Sequence, residues 1–154
     1  MPDIVTAQMI FTSVYEHSVD DKRRVPVPFR WRPKEPLEFT LMVFPEEGIG
    51  EYLRVLPPAQ WLKLLEEIKA MPSDNDQKPI LQRIVARDSL EVRLDSAGRI
   101  TIPEGMAARA DISDTAILSG ALGHFELWSP ARHKKVEEKD QPEKVHVLKR
   151  VRAL

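Results

Sequence analysis

The chain has no cysteine, which excludes disulfides, thiolate metal sites and cysteine nucleophiles together. It also has no apolar run near the roughly 18 residues that span a bilayer, so no membrane crossing is expected. The N-terminus lacks a basic region followed by an apolar core, so no signal peptide is expected, and a reducing cytoplasm suits the composition. Strong charge of either sign is missing too: the formal net charge is −1, whereas DNA-binding domains are usually basic. Glycine-rich phosphate loops are absent, because Gly48 and Gly50, like Gly120 and Gly123, fall inside expected hairpins. What remains is a chain of 154 residues, 42% apolar, enough for one domain or two very small ones sharing a core.

A repeat organises that chain, and repeats are looked for first because they decide the architecture. Residues 94–103 read L-D-S-A-G-R-I-T-I-P, and residues 19–28 read V-D-D-K-R-R-V-P-V-P. At a constant shift of 75 positions Asp20 meets Asp95, Arg24 meets Arg99 and Pro28 meets Pro103. Further on the shift shortens to 72, aligning V-L-P-P-A-Q (55–60) with L-W-S-P-A-R (127–132). Loop deletions of this kind are common.

Each copy carries the same local signals. Tyr15, His17 and Val19, like Leu90, Val92 and Leu94, alternate with polar residues and predict half-buried strands. Residues 95–98 predict a tight turn, with Asp95 accepting backbone bonds and Gly98 taking the left-handed conformation. Residues 99–103 then predict the return strand of a hairpin, and Pro103 suits the first turn of a helix over 104–110. Pro28 can open the equivalent helix in the first copy, but Pro33 and Pro36 must cut it short. A second hairpin closes each half: Leu37, Phe39, Leu41 and Val43 return through 53–56, and 116–119 return through 125–128. Between the halves, Trp61, Leu64, Leu65 and Ile68 mark an amphipathic helix. Pro72 and the polar residues after it break that helix, and Pro79 opens another. These helices are expected to link the repeats and to pack on a neighbour. Residues 1–12 read as an extension without periodicity. The charged tail is expected to need a partner for order, although Val145, Leu148 and Val151 fall at helical spacing. The expected fold class is mainly β with short helices (α+β).

Charge distribution says more than the sum. Residues 22–34 hold Lys22, Arg23, Arg24, Arg30, Arg32 and Lys34 with no acid among them, a footprint for a polyanion. Arginine presents a fork that can grip guanine in the major groove, lysine serves phosphate as a point charge, and a two-stranded hairpin can enter that groove. The candidate DNA contacts are therefore Lys22, Arg23, Arg24, Arg30 and Arg32, with Arg99 as a lesser member. Asp20, Asp95 and Gly98 are assigned to shaping the turns. An ion pair serving only the turn is the competing reading for Asp20 and Arg24, and the favoured one for Asp95 and Arg99. An enzyme is not expected. His17, Ser18 and Asp20 are triad residue types, yet His17 and Ser18 point to opposite faces of a strand. His124, His133 and His146 lack partners at metal-ligand spacing, so no metal, cofactor or small-molecule substrate is expected.

With these residues in place, the pattern resembles the MraZ family of bacterial transcriptional regulators in the SpoVT–AbrB group. The resemblance rests on H-S-V-D-D-K-R-R-V-P-V-P (17–28) and L-D-S-A-G-R-I-T-I-P (94–103), each with Asp-x-x-x-Arg. F-R-W-R (29–32) continues the first, and R-V-L-P-P-A-Q-W (54–61) and H-F-E-L-W-S-P (124–130) close the two repeats. It spans about residues 13–135. It implies a pseudo-twofold, swapped-hairpin AbrB-type barrel, with repeats at 14–60 and 89–132, linking helices at 61–88 and a tail at 133–154. It also implies a ring-shaped homo-oligomer, cytoplasmic and nucleoid-associated, that binds short repeats in double-stranded promoter DNA near cell-division and cell-wall genes. Two departures stand out. Arg23 occupies the usual glycine position, where a bulky residue costs about 1–2 kcal/mol in the left-handed region, so the turn is either strained or rebuilt. Ala107 stands where an arginine is common, which weakens the second half as a DNA surface. AbrB-type folds also resemble antitoxins, whose charged tails capture a protein partner, and that is the alternative.

Overall fold

A computed structural model of the chain describes residues 9–34 and 38–154. Pro36, Leu37 and residues 1–8 of the N-terminal stretch lie outside the described residues. The first half contains β1 (Val14–Ser18), β2 (Arg24–Pro26), a 3-10 turn over Phe29–Trp31, β3 (Glu38–Glu46) and β4 (Gly50–Leu56). Two helices follow, α1 (Pro58–Ala70) and α2 (Lys78–Arg87). The second half repeats the order with β5 (Ser89–Arg93), β6 (Arg99–Thr101), α3 (Glu104–Arg109), β7 (Thr115–Gly120) and β8 (Phe125–Trp128). The chain ends in α4 (Pro130–Asp140), a 3-10 turn and α5 (Lys144–Leu148). The mainly β class with short helices is therefore present.

The halves are interleaved. Six strands form one sheet in the order β1-β7-β8-β4-β3-β5, and β2 pairs with β6 in a separate ribbon. Exchanging each strand with its repeat equivalent reverses the six-strand order and leaves it unchanged, which is the mark of an internal twofold. The registers place that axis. Val25 faces Ile100 in the ribbon, and Arg54 faces Glu126 between β4 and β8, so each of these residues meets its own repeat equivalent.

Two expectations need correction. The segments flanking each Asp-x-x-x-Arg turn do not form a hairpin ladder with each other. β1 pairs with β7 and β5 with β3, while the return strands pair across the axis, with the Val27 amide on the Gly98 carbonyl and the Ile102 amide on Arg23. The reason is burial: Val25, Val27, Ile100 and Ile102 are fully buried, and the two short strands cover these side chains only by joining over the sheet. Nor is there a closed barrel among the described residues, since β1 and β5 end the six-strand ladder without pairing each other.

The main core lies between the sheet and the ribbon. Phe11, Trp31, Phe39 and Phe125 form its aromatic centre, with Trp31 and Phe125 ring centroids 4.8 Å apart. Phe11 is completely buried and its backbone bridges Leu122, so this part of the N-terminal stretch is core rather than an extension. The linking helices pack on the chain itself: Ile68 and Val85 join Met42 and Leu56 on the outer face of β3 and β4. Val136 of α4 packs on Tyr52, Ile117 and Trp128. The tail is thus a docked helix at its start, and the helix runs through position 133 without a break. The apolar residues Val145, Leu148 and Val151 of the last segment remain exposed.

Candidate nucleic-acid interface

The two turns are built bond for bond alike. In the first, the amides of Lys22 and Arg24 donate to Asp20 Oδ1 at 3.0 and 2.8 Å, and the Arg23 amide donates to the Asp20 carbonyl at 2.9 Å. In the second, the amides of Ala97 and Arg99 donate to Asp95 Oδ1 at 3.0 and 2.9 Å, and the Gly98 amide to the Asp95 carbonyl at 2.9 Å. Gly98 has φ +75° and Arg23 φ +62°, so the first turn is not rebuilt: Arg23 accepts the left-handed conformation that glycine takes without strain.

Each aspartate then holds its arginine. Arg24 Nε donates to Asp20 Oδ2 at 2.6 Å and Arg99 Nε to Asp95 Oδ2 at 2.9 Å. Both carboxyls are held below the usual carboxylate range, chiefly by the backbone N–H of Arg24 or Arg99, against a partial desolvation that opposes it. The guanidinium groups add to the lowering. Arg99 Nη1 also lies 3.9 Å from Asp20 Oδ2, so the two turns meet in one cluster of four charges. That contact was not legible in the sequence, which gave no reason to place residues 20 and 99 side by side.

Across the ribbon Arg24 faces Thr101 and Arg99 faces Pro26. With Val25 and Ile100 turned inward, Arg24, Pro26, Arg99 and Thr101 share the outer face. The two arginine side chains are 31% and 33% exposed. Because Nε is bound to carboxylate, the Arg24 guanidinium keeps two terminal nitrogens for another acceptor, while Arg99 keeps Nη2 and shares Nη1 with Asp20. These ion pairs do not distinguish the copies; the turn tips do, with exposed Asp21 and Lys22 in the first and Ser96 and Ala97 in the second.

The other expected contacts are placed differently. Arg30 Nη2 donates to Thr12 Oγ1 at 3.1 Å, outside the four-charge cluster. Arg32 Nε donates to the Val27 carbonyl at 2.8 Å, and Arg23 Nε donates to the Ile102 carbonyl at 3.0 Å. Both are half-buried and turned to backbone.

The triad residue types on β1 do not converge. His17 is half-buried and stacked on Tyr15 at 6.3 Å, while Ser18 is exposed on the opposite face of β1. A cleft of about 300 Å³ between α1 and α2 is lined by Trp61, Ile68, Lys69, Lys78 and Val85, without an acid or histidine. Among the described residues no group of three histidines or acids is placed to hold a metal, and no helix is long and apolar enough to cross a membrane.

Comparison with known proteins places the chain in a family. Residues 86–150 match a family model described as "MraZ protein, putative antitoxin-like". A protein of Roseiflexus sp. (strain RS-1) named transcriptional regulator MraZ is 32% identical over 127 residues, covering 82% of this chain and 86% of the relative. Proteins of the same name from Heliobacterium modesticaldum and Leuconostoc mesenteroides are 29% and 28% identical over 133 and 120 residues. They cover 86% and 78% of this chain and 90% and 81% of their own lengths. With two Asp-x-x-x-Arg turns joined across an internal twofold and relatives of this extent, the chain belongs to the MraZ family.

Proposed function

We propose that this chain regulates transcription by binding double-stranded promoter DNA through the outer face of the β2–β6 ribbon. The observation that carries this reading is the pair of carboxylate-held arginines, Arg24 and Arg99, side by side on a two-stranded ribbon. A ribbon of that width fits the major groove, and a guanidinium with two free terminal nitrogens can grip guanine O6 and N7. Lys22 at the turn tip and Arg30, after the return strand, supply phosphate contacts, while Arg23 and Arg32 stand behind the face. The chain is nearly neutral, so affinity is supplied by several subunits: in a ring-shaped homo-oligomer each further contact is intramolecular. Such a protein works in the cytoplasm, at the nucleoid, without a cofactor.

The test is a binding titration on DNA from upstream of the chain's own gene, repeated across salt concentrations. Log affinity should fall linearly with log salt, as release of counterions requires. Arg24→Ala and Arg99→Ala should each weaken binding by about tenfold or more, the range for loss of one bidentate base contact. A flat salt dependence, or two variants that bind like the parent, would remove the ribbon as the interface.

A second reading is an antitoxin-like protein that captures a protein partner with its tail. The exposed Val145, Leu148 and Val151 beside Lys144, Lys149 and Arg150 favour it. Removal of residues 141–154 separates the two: DNA binding persists if the ribbon is the interface, and the function is lost if the tail is.

A further inference from the structure

Arg32 and Arg23 act on equivalent carbonyls from non-equivalent positions. Arg32 Nε holds the Val27 carbonyl at 2.8 Å, and its guanidinium lies against Gly98 in the other half's turn, where a Cβ would find no room. The 75-residue shift carries Val27 onto Ile102, Arg32 onto Ala107 and Gly98 onto Arg23. Ala107 is too short to reach the Ile102 carbonyl. That carbonyl is held instead by Arg23 Nε, at 3.0 Å. Twofold symmetry puts the space that Arg32 takes above Gly98 next to residue 23 in the other half. There, no arginine arrives from position 107, and the Arg23 side chain fills it.

We propose that Arg23 is a positioning residue, a guanidinium clamp on the second half of the ribbon that does the work Arg32 does on the first. Arg23 and Ala107 are then one matched replacement for the arrangement seen at Gly98 and Arg32. Both clamped residues, Val27 and Ile102, are fully buried and precede a proline, whose ring nitrogen cannot donate. Both sit where the three-residue ladder has ended. A clamp there fixes how each return strand leaves the ribbon, and so where Arg24 and Arg99 stand. The left-handed backbone of Arg23 is unfavourable for a side chain; with alanine at 107, it is from position 23 that a guanidinium reaches the Ile102 carbonyl.

The proposal does not depend on DNA binding, and its main test is thermal melting of the full chain. Ala107→Arg brings a second guanidinium to an occupied place and should lower Tm by about 3 °C or more, the shift for roughly 1 kcal/mol in a chain of this size. With Arg23→Gly added, the same substitution should become neutral or stabilising. Because α3 could reject an arginine for its own reasons, the mirror pair is measured as well. Gly98→Arg should be strongly destabilising alone, and its combination with Arg32→Ala should recover at least half of the loss. Recovery in either double variant supports the matched pair; additive effects in both overturn it. A further arm rests on the DNA reading. Arg23→Gly should weaken binding without changing the slope of log affinity against log salt. A slope reduced by about 0.9, the value for one phosphate contact, would make Arg23 a contact and overturn the clamp. If the parent binds no DNA, the melting cycles still decide.

Discussion

Asp20 and Asp95 each accept two backbone amides on one oxygen and a guanidinium on the other, so the charged form of each carboxyl is tied to the native turn. Their lowered pKa values fix the sign of a pH effect. A carboxyl depressed in the folded state contributes stability that is complete above its unfolded value, about 3.9, and is lost as pH falls through the lower folded value. The urea midpoint should therefore stay level from pH 7 to about pH 5 and decline below about pH 4. Glu126 acts in the same window: burial pushes it up, but bonds from His124 and the Trp128 indole bring it down overall. The informative measurement is thus a difference. The Asp20→Asn, Asp95→Asn double variant should be weaker than the parent at pH 6 and should lose less between pH 5 and pH 3. Parallel declines would show that the turns are not the source. These pairs were legible in the sequence because residues four apart across a tight turn must meet. The clamp by Arg23 was not legible, since its acceptor lies 79 residues away and is reached only once the halves interleave.

Helices α1 and α4 occupy equivalent places, each opened by proline after the closing strand of its half, yet they start differently. Ser129 is buried and its Oγ accepts the Arg132 amide at 3.1 Å, whereas Pro57 offers α1 no side-chain cap. Replacing a serine cap by alanine costs about 1 kcal/mol, so Ser129→Ala should lower Tm by about 2–4 °C. A loss confined to α4 would also release Val136 from the Tyr52–Trp128 stack, whose rings lie 4.1 Å apart, and tryptophan fluorescence should report it. An unchanged melt and spectrum would mean the helix is held by its packing alone. Most elements could be read from local pattern: period-two alternation marks β1, β3 and β5, and prolines bracket α1, α2 and the 3-10 turn at Phe29–Trp31. Strand partners could not, because alternation says which face is buried and nothing about which strand lies beside it. Phe11 escaped for a related reason: a lone buried aromatic before the first strand carries no period.

The interleaving decides what the whole chain can do without one of its halves. In a fragment ending near residue 74, β3 still pairs with β4, but β1 has lost β7 and β2 has lost β6. In the complementary fragment β7 and β8 remain paired while β5 and β6 are stranded. The main core draws on both halves, with Phe11, Trp31 and Phe39 from the first packed on Phe125 from the second. Below about 70–80 residues a single core rarely supplies enough stability by itself, and each fragment keeps only part of one. Neither fragment should therefore melt cooperatively as a monomer, whereas an equimolar mixture should regain the parent's β-sheet circular dichroism and a melt that rises with concentration. Because the halves are related by a twofold, a fragment at high concentration should pair with itself through the Val25 or Ile100 edge, and dilution should abolish that pairing. A concentration-independent, cooperative melt of either fragment alone would show that a half is self-sufficient. The ribbon would then join two finished units instead of completing one.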